Sequence, residues 1–280
     1  MKNIIISKKK LASKIYDFHI EQDTIPKFYQ AGQFAILRIS ENGERIPLTI
    51  VEAKDYYSRF IVKCIGKTTY ELAMMKEGSD LLEVVGPLGN PTEIDNFGNI
   101  VVIGGGIGIA PILPISKALK ERGNNITVII GAVTSEQLIL KEELAQCADD
   151  LVIATDDGTE GKKGLVTDRL EELINENNKI DRIWAVGPTV MMKFVSAIAK
   201  RENIPCMVSL NPIMVDGTGM CGACRVEVNK EMKFTCVDGP EFDGRLVNWN
   251  ELIKRQHQYE QEEKRAFEIF KEKVGDLSWL

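Results

Sequence analysis

Residues 99–123 read NIVVIGGGIGIAPILPISKALKERG, and this stretch decides the fold. It opens with NIVVIGG, a continuous apolar run that is typical of a strand buried on both faces of a sheet. A glycine-rich turn follows, and APILPISKALKERG then has the pattern of a helix. A buried strand, a glycine turn and a helix in this order predict the first unit of a parallel α/β sheet.

The alternation of strand and helix continues as far as residue 209. The later predicted strands are NITVIIGAV, DLVIATDD and RIWAVGP. The predicted helices are SEQLILKEELAQCA, GLVTDRLEELINE and TVMMKFVSAIAKREN. Because strands that alternate with helices form parallel sheets, we predict a Rossmann-like parallel-sheet domain over residues 98–209.

Residues 1–97 have a different pattern. Several short segments mix β-branched and aromatic residues with polar ones, often in alternation, as strands do. The six segments are NIIIS, SKIYDFHIE, QFAILRIS, RIPLTIVE, RFIVKCIG and DLLEVVGPLG. Only TTYELAMMKE has the pattern of a helix, so this region is predicted to be a small antiparallel β barrel, closed or nearly closed.

The end of the chain contains two shorter regions. Residues 210–248 form a glycine-rich segment with three cysteines, and this segment is too small to own a hydrophobic core. Residues 249–280 are predicted to be a charged, mostly helical C-terminal tail. The tail is either a docking arm for another protein or a solvated surface helix.

Composition restricts the function. The net charge of −6 argues against nucleic acid or an anionic membrane as the main partner. The N-terminus lacks the pattern of a secretory signal, and the longest apolar stretches contain glycine and proline and are too short to span a bilayer. A cytoplasmic protein is therefore expected, in which six cysteines indicate metal ligands or isolated thiols rather than disulfides.

The turn GGGIGIAP, residues 104–111, is a candidate phosphate-binding loop. Glycines let a backbone approach a pyrophosphate, and the following helix offers free N–H groups at its N-terminus, where Pro111 suits the first turn. The spacing departs from G-x-G-x-x-G, because Ile109 and Pro111 occupy its later positions. A tight turn without a ligand is the alternative interpretation.

The segment VDGTGMCGACRV, residues 215–226, and the following Cys236 form a candidate metal centre. Its spacing is D-x4-C-x2-C-x11-C, whereas a plant-type [2Fe–2S] site uses C-x4-C-x2-C with a distant fourth cysteine. Glycines at 217, 219 and 222 let backbone amides approach the sulfides, and iron also accepts a carboxylate ligand. We therefore predict a [2Fe–2S] cluster with Asp216, Cys221, Cys224 and Cys236 as ligands.

Other interpretations of this segment remain. Zinc sites usually combine two Cys or Cys/His pairs, and the chain has one C-x-x-C pair and two distant histidines. A thioredoxin-like C-x-x-C would open a helix, which this glycine-flanked loop does not favour. Asp216 is either the fourth ligand or a hydrogen-bond acceptor beside the cluster. Cys64, Cys147 and Cys206 lie in apolar surroundings and are predicted to be packing residues.

The nucleotide loop resembles that of a known family. GIGIAP is similar to the G-x-G-I-A-P loop of the ferredoxin reductase family, in which a flavin barrel precedes a nicotinamide-nucleotide domain. The segment VGP, residues 186–188, followed by Met191 and Met192, resembles the C-G-P loop that lies near the nicotinamide in that family. Val186 replaces the usual cysteine, so no thiol chemistry is carried over, and the two methionines have helix core as an alternative role.

The barrel carries two further similarities. RIPLTI, residues 45–50, resembles the family's R-x-Y-S strand that binds the flavin, and GKTT, residues 66–69, resembles its pyrophosphate-binding turn. Arg45 lies one position early, and Leu48 stands in place of the stacking tyrosine. Arg45 is therefore either a phosphate ligand or a solvated charge at a strand end.

The resemblance implies two groups of cofactor-binding residues. For FAD they are Arg45, Pro47, Leu48, Thr49, Val62, Lys63, Gly66, Thr68 and Thr69. For NAD(H) they are Gly105, Gly106, Gly108, Ile109, Ala110, Pro111, Asp156, Asp157, Gly187, Pro188 and Met191.

The acidic pair in ATDDGTEG bears on nucleotide choice. In family members that use NADPH, a Ser-Arg pair at this point commonly holds the 2′-phosphate, whereas this chain has Asp156 and Asp157. Carboxylates repel a phosphate and accept hydrogen bonds from ribose hydroxyls, so we predict NADH. Lys162 and Lys163 are expected to face solvent.

The whole chain resembles a family of small electron-transfer subunits that serve NADH-dependent ferredoxin:NADP oxidoreductase or dihydroorotate dehydrogenase. The former have one aspartate and three cysteines in the cluster segment, as here, and the latter have four cysteines. The resemblance implies electron transfer between NAD(H), FAD and a [2Fe–2S] cluster within an electron-bifurcating complex. It also implies a larger partner subunit with a second flavin and [4Fe–4S] clusters, where NADPH and ferredoxin react.

Three alternatives remain open at this point. The chain could be the electron-transfer subunit of dihydroorotate dehydrogenase, or the small subunit of a sulfide or polysulfide dehydrogenase. From a different class, it could be a redox-sensing or iron-binding module without enzymatic activity. Flavin that is present in stoichiometric amount and reduced rapidly by NADH would exclude that last alternative.

Overall fold

The N-terminal part of the chain folds into two antiparallel sheets. The computed structural model describes residues 2–176 and 178–277. In chain order the elements are β1 (Ile5–Ala12), β2 (Ile15–Glu21), α1 (Ile25–Phe28), β3 (Phe34–Arg38), β4 (Arg45–Thr49), β5 (Glu52–Lys54), β6 (Tyr57–Lys63), α2 (Lys67–Met74) and β7 (Glu83–Leu88). One sheet has the order β1-β2-β6-β5, and the other has the order β4-β3-β7.

The two sheets meet at both edges. Between β4 and β5 the amide of Ile50 donates to Gln33 of one sheet, and the amide of Val51 donates to Arg59 of the other. On the opposite side, Ile4 bridges to Asp80 just before β7. The predicted, nearly closed barrel is therefore confirmed. It has seven strands instead of six, because the chain of RIPLTIVE passes from one sheet to the other at Ile50.

The C-terminal tail completes the core of this barrel. It contains α8 (Trp249–Gln256) and α9 (Glu260–Val274), so the prediction of a helical tail is confirmed. Phe270 of α9 is only 7% exposed and belongs to the same hydrophobic core as the barrel residues Phe18 and Phe60. The ring of Phe267 lies 5.0 Å from that of Tyr70 on α2. One face of α9 is thus attached to the barrel, and its charged face remains open to solvent.

Residues 99–209 form a parallel sheet, as predicted. Its strands and helices are β8 (Asn99–Gly105), α3 (Ile109–Glu121), β9 (Asn125–Ala132), α4 (Lys141–Ala145), β10 (Asp150–Thr155), β11 (Lys162–Lys163), α5 (Val166–Asn175), β12 (Arg182–Val186), α6 (Thr189–Arg201) and β13 (Cys206–Ser209). The prediction of a single helix over SEQLILKEELAQCA is wrong. A short 3-10 turn and α4 replace it, because Leu140 adopts a left-handed conformation with φ of 58° between them.

The cysteine-containing region contributes to this sheet. Its elements are β14 (Arg225–Val228), β15 (Glu231–Phe234), α7 (Thr235–Asp238) and β16 (Glu241–Asp243). The sheet order is β11-β10-β9-β8-β12-β13-β16, and β16 pairs with β13 antiparallel. The buried Glu241 of β16 accepts hydrogen bonds from Thr92 (2.6 Å) and from the indole of Trp184 (3.1 Å). Its carboxyl group therefore ties β16 to β12 and to the segment that follows the barrel.

An ion cluster joins the barrel to the parallel sheet. The guanidinium of Arg59 on β6 is largely buried and lies 2.8 Å from Asp17 of β2 and 2.8 Å from Glu143 of α4. Charge-assisted pairs with two bonds on each side have a defined geometry as well as strength. They hold the two halves of the molecule in a fixed relation. No helix within residues 2–176 and 178–277 is long and apolar enough to cross a membrane.

Phe270→Ala should separate α9 from the barrel. We expect the free energy of unfolding to fall by about 3 kcal/mol or more, because a buried aromatic ring is removed. Ile269→Ala is the matched control: its side chain is 45% exposed, and we expect a change within about 0.5 kcal/mol. Urea unfolding measures both values, and equal losses in the two variants would contradict the anchoring role of Phe270.

Candidate functional site

A cleft of about 400 Å3 lies between the barrel and the carboxyl ends of β8 and β12. Ligand sites of this kind are concave, mostly apolar and placed between structural units. The structure brings a large part of the predicted site together here. The predicted residues that line the cleft are Pro47, Leu48, Thr49, Lys63, Gly105, Gly106, Gly108, Ala110, Pro111, Gly187 and Pro188.

The glycine loop makes a backbone contact with the VGP loop. A Cβ atom at Gly108 would lie 2.2 Å from the carbonyl oxygen of Val186, and one at Gly105 would lie 2.3 Å from the sulfur of Met191. A side chain at Gly108 would collide with the backbone, whereas one at Gly105 would require the side chain of Met191 to move. The contact places the N-terminus of α3 at the floor of the cleft, where a phosphate would meet free N–H groups.

The two methionines after VGP have different surroundings. Met192 is fully buried in the core beneath the sheet, which is its helix-core interpretation. Met191 is partly buried and packs behind Gly105 and Gly187. Ile109, from the predicted nucleotide group, is also fully buried. It supports the loop from behind instead of lining the cleft.

The remaining flavin-side residues lie away from this cleft. Val62 points into the barrel core. Arg45 pairs with Glu83 at 3.1 Å and is partly exposed, so the structure shows it as a paired charge at a strand end. The hydroxyl of Thr69 accepts hydrogen bonds from the amides of Ile65 and Gly66, and this cap begins α2.

A second cleft, also of about 400 Å3, lies at the start of α2. Gly66, Thr68 and Thr69 line one side, and residues 260–267 of α9 line the other. Thr68 donates to Glu44 at 2.6 Å on the rim. Ile65 lines both clefts, so the two are adjacent parts of one elongated site.

Asp156 and Asp157 follow β10 at the carboxyl edge of the sheet. The carboxylate of Asp157 accepts hydrogen bonds from the hydroxyl (2.7 Å) and the amide (2.9 Å) of Thr159. These bonds hold the pKa of Asp157 below its usual value. Lys162 and Lys163 are exposed, as expected, and Lys162 pairs with Glu172 of α5.

The cysteine loop packs directly on the barrel. The sulfurs of Cys224 and Cys236 lie 3.2 Å apart, and both side chains are buried against Phe34, Ile36 and Met214. Burial and the neighbouring Cys224 raise the pKa of Cys236 to about 12. Phe34 and Met214 also line the first cleft, so they form a shared wall between the cleft and the cysteines.

Asp216 organises the exposed half of the same loop. Its carboxylate accepts hydrogen bonds from the amides of Thr218 (2.8 Å) and Cys221 (2.8 Å). The bond from Thr218 is the main reason why the pKa of Asp216 is lowered. Cys221 itself is exposed. Within residues 2–176 and 178–277, no three His, Cys, Asp or Glu side chains are gathered closely enough for a metal ion.

The donor set nevertheless fits an iron–sulfur cluster. Asp216, Cys221 and Cys224 lie on one loop, and the hairpin of β14 and β15 brings Cys236 of α7 beside Cys224. Thiolates are the ligands that such clusters prefer. A tetrahedral ion with sulfur ligands at about 2.3 Å holds neighbouring sulfurs about 3.8 Å apart, close to the 3.2 Å between Cys224 and Cys236. Gly217, Gly219 and Gly222 all have positive φ, which lets the backbone curl. The other cysteines, at 64, 147 and 206, are buried in apolar cores, as predicted.

Sequence reasoning missed several residues of the site. Phe34, Asn211 and Met214 line the first cleft, and Glu260 and Glu263 line the second. None lies in a motif that binds a cofactor. Tertiary packing alone brings them to the clefts, so the sequence carried no local signal for them.

Comparison with known proteins agrees with this architecture. Residues 102–197 match the oxidoreductase NAD-binding domain, and residues 211–248 match the iron–sulfur cluster binding domain of dihydroorotate dehydrogenase B. A dihydroorotate dehydrogenase B (NAD(+)) electron transfer subunit homolog from Thermotoga maritima is 52% identical, over 98% of this chain and 97% of its own. A probable dihydroorotate dehydrogenase B (NAD(+)) electron transfer subunit from Methanopyrus kandleri is 34% identical, over 78% and 80%.

A solved structure is similar over nearly the whole chain. It belongs to work on flavin-based electron bifurcation in NADH-dependent reduced ferredoxin–NADP oxidoreductase. Its matching chain is 51% identical with a TM-score of 0.91, and the match covers 96% of this chain and 98% of that one.

The barrel, the parallel sheet and the cysteine loop define a class: an NAD-dependent oxidoreductase of the ferredoxin reductase type with an iron–sulfur domain. Within it, the chain belongs to the family of dihydroorotate dehydrogenase B electron transfer subunits and their homologues. Its relatives are electron transfer subunits, which serve in assemblies with a further subunit. The predicted cofactors, FAD, NAD(H) and an iron–sulfur cluster, are confirmed.

Variants of Asp216 separate its two possible roles. We expect Asp216→Cys to retain a cluster with a changed EPR spectrum, because a thiolate can replace a carboxylate ligand. Asp216→Ala should lose most of its iron during purification. Glu231→Ala, an exposed carboxylate of β15 that pairs with Lys233, is the control and should keep the wild-type spectrum. Unchanged EPR spectra in both Asp216 variants would show that Asp216 is not a ligand and only accepts hydrogen bonds beside the cluster.

Proposed function

We propose that this chain is the NADH-reactive subunit of an electron-bifurcating, NADH-dependent reduced ferredoxin:NADP+ oxidoreductase. The observation that carries the proposal is the wall formed by Phe34 and Met214, which separates the cleft from Cys224 and Cys236 by one layer of side chains. A flavin ring in the cleft would therefore lie close to a [2Fe–2S] cluster on the cysteine loop. Electrons could pass between them without crossing solvent.

The residues of the chain supply binding and orientation. The glycine loop and the start of α3 would hold the nucleotide pyrophosphate, and residues 47–49 would hold the flavin ring at the barrel edge. The turn at residues 66–69 would hold the flavin pyrophosphate. When bound, FAD accepts a hydride from NADH and gives electrons singly to the cluster. Such transfer needs positioning more than an acid or a base, so no catalytic triad is required.

Two observations favour this function over that of a dihydroorotate dehydrogenase subunit. The chain from work on ferredoxin–NADP oxidoreductase is 51% identical to this one, and the 52% identical Thermotoga maritima protein is named only a homolog of a dihydroorotate dehydrogenase subunit. The probable dihydroorotate dehydrogenase subunit of Methanopyrus kandleri is 34% identical. Asp216 also stands where dihydroorotate relatives are expected to have a cysteine. A sulfide or polysulfide dehydrogenase activity would use the same flavin and cluster, and substrate assays distinguish it.

The proposal includes a larger partner subunit. The three cysteines outside the cluster loop are buried in separate cores, so they are not positioned to bind a second cluster. We therefore assign the second flavin, the [4Fe–4S] clusters and the reactions with NADPH and ferredoxin to the partner. NAD(H) chemistry and free thiols suit the cytoplasm, which we propose as the location.

Purification of the native complex tests the assignment. We expect one FAD and one [2Fe–2S] cluster per chain, flavin reduction by NADH within milliseconds, and a co-purifying subunit with [4Fe–4S] clusters. Iron, acid-labile sulfide and flavin assays with subunit identification measure these. Stoichiometric zinc without iron would contradict the cluster, and a co-purifying dihydroorotate dehydrogenase would contradict the proposed partner.

The acidic pair after β10 is expected to select NADH. NADH should reduce the flavin roughly tenfold to a hundredfold more efficiently than NADPH does. The carboxylates of Asp156 and Asp157 repel the 2′-phosphate of NADPH, and solvent screens part of this repulsion. Asp156→Ser combined with Asp157→Arg should narrow this ratio in stopped-flow measurements. Asp150→Ser, at the opposite end of β10, is the control. Equal efficiency of the two nucleotides with the wild type would contradict this role of the acidic pair.

A further inference from the structure

Two arginines donate hydrogen bonds to the turn between Cys221 and Cys224. Arg225 donates from Nη1 to the carbonyl of Gly222 at 3.1 Å. Arg255 of α8 donates from Nη2 to the carbonyl of Ala223, also at 3.1 Å. Both carbonyls that lie inside the C-x-x-C turn are thus bound by guanidinium groups.

These bonds set the direction of the peptide units. In a trans peptide the N–H group points opposite to the C=O group. Because the carbonyls of Gly222 and Ala223 point to the arginines, the amides of Ala223 and Cys224 point away from the guanidinium groups. A cluster bound through Cys221 and Cys224, which flank these amides, would have them beside its sulfurs.

Arg255 is held firmly in this position. Its side chain is only 17% exposed, and its nearest carboxylate, Glu251, lies 3.6 Å from Nε. The adjacent Gln256 accepts a hydrogen bond from Thr189 at 2.8 Å and donates to the carbonyl of Asn211 at 3.1 Å. The end of α8 is therefore fixed to the start of α6 and to Asn211 in the wall of the first cleft. Arg225 and Arg255 also share a small cavity of about 170 Å3 with Cys221.

We propose that Arg255 and Arg225 are positioning residues that raise the reduction potential of the cluster; the inference rests on the cluster of the proposed function. Reduction adds one negative charge to the cluster. Two nearby guanidinium charges stabilise that charge, and so do amides aimed at the sulfurs, because cluster potentials depend on local charge and on hydrogen bonds to sulfur. The transferred electron comes from the NADH-reduced flavin, so no other reductant is involved.

The test is an EPR-monitored redox titration of the purified holo-complex. Arg255→Gln should lower the reduction potential of the cluster. At a fixed solution potential, the ratio of reduced to oxidised cluster should fall about tenfold, which corresponds to a decrease of about 59 mV for a one-electron couple. Arg255→Lys keeps the charge but lacks the planar fork, and its potential should fall between those of Arg255→Gln and the wild type. Arg201→Gln, an exposed arginine of α6 that pairs with Glu171 and Glu202, is the control and should match the wild type.

An unchanged potential in Arg255→Gln with full iron content would overturn the proposal. If Arg255→Gln loses the cluster, Arg225→Gln decides the question, because Arg225 is exposed and its replacement leaves the packing of α8 intact. A wild-type potential in Arg225→Gln would then overturn it. Iron and flavin analysis of the wild type distinguishes failure of this inference from failure of the proposed function. Absence of iron contradicts the proposed function itself. Unchanged potentials with iron present contradict only the role of the arginines.

Discussion

The site depends on the contact between two loops at the carboxyl edge of the parallel sheet. Gly108 lies so close to the carbonyl of Val186 that any side chain would collide with the backbone. This contact closes the floor of the cleft and fixes where α3 begins. Since the ion cluster of Arg59 holds the barrel against α4, the opposite wall of the cleft is fixed as well. A flat apolar ring and a nucleotide could then meet in a space whose walls need not move.

The iron–sulfur loop gains its rigidity from the rest of the molecule. Its own core is too small, and Cys224 and Cys236 pack on Phe34 and Ile36 of β3. The same region gives β16 to the parallel sheet, where the buried Glu241 bonds to Thr92 and Trp184. Burial raises the pKa of Glu241, because removal from water disfavours the charged carboxylate, and the hydrogen bonds from Thr92 and Trp184 oppose this shift. The loop is therefore built into both halves of the protein.

Local chemistry explains which features the sequence could predict. The glycine loop and the spacing of Asp216 and the cysteines are local patterns, and in the structure the glycines form one turn and Cys236 returns beside Cys224 across a short hairpin. The break at Leu140 was missed, because a left-handed leucine leaves no signal in an apolar pattern. Packing between distant segments could not be predicted from the sequence, because it joins residues far apart in the chain. The examples are Phe270 in the barrel core, Arg255 on the carbonyl of Ala223, and Arg45 paired with Glu83.

The position of Phe270 has a consequence for biosynthesis. The barrel strands lie within residues 5–88, but Phe270, which belongs to the same hydrophobic core, is encoded after the nucleotide domain and the cysteine loop. On the ribosome, N-terminal domains generally fold first. Here the nascent barrel would leave part of its apolar core uncovered until α9 has been made, after the nucleotide domain and the cysteine loop. A chain interrupted before α9 would therefore carry a barrel with exposed apolar surface.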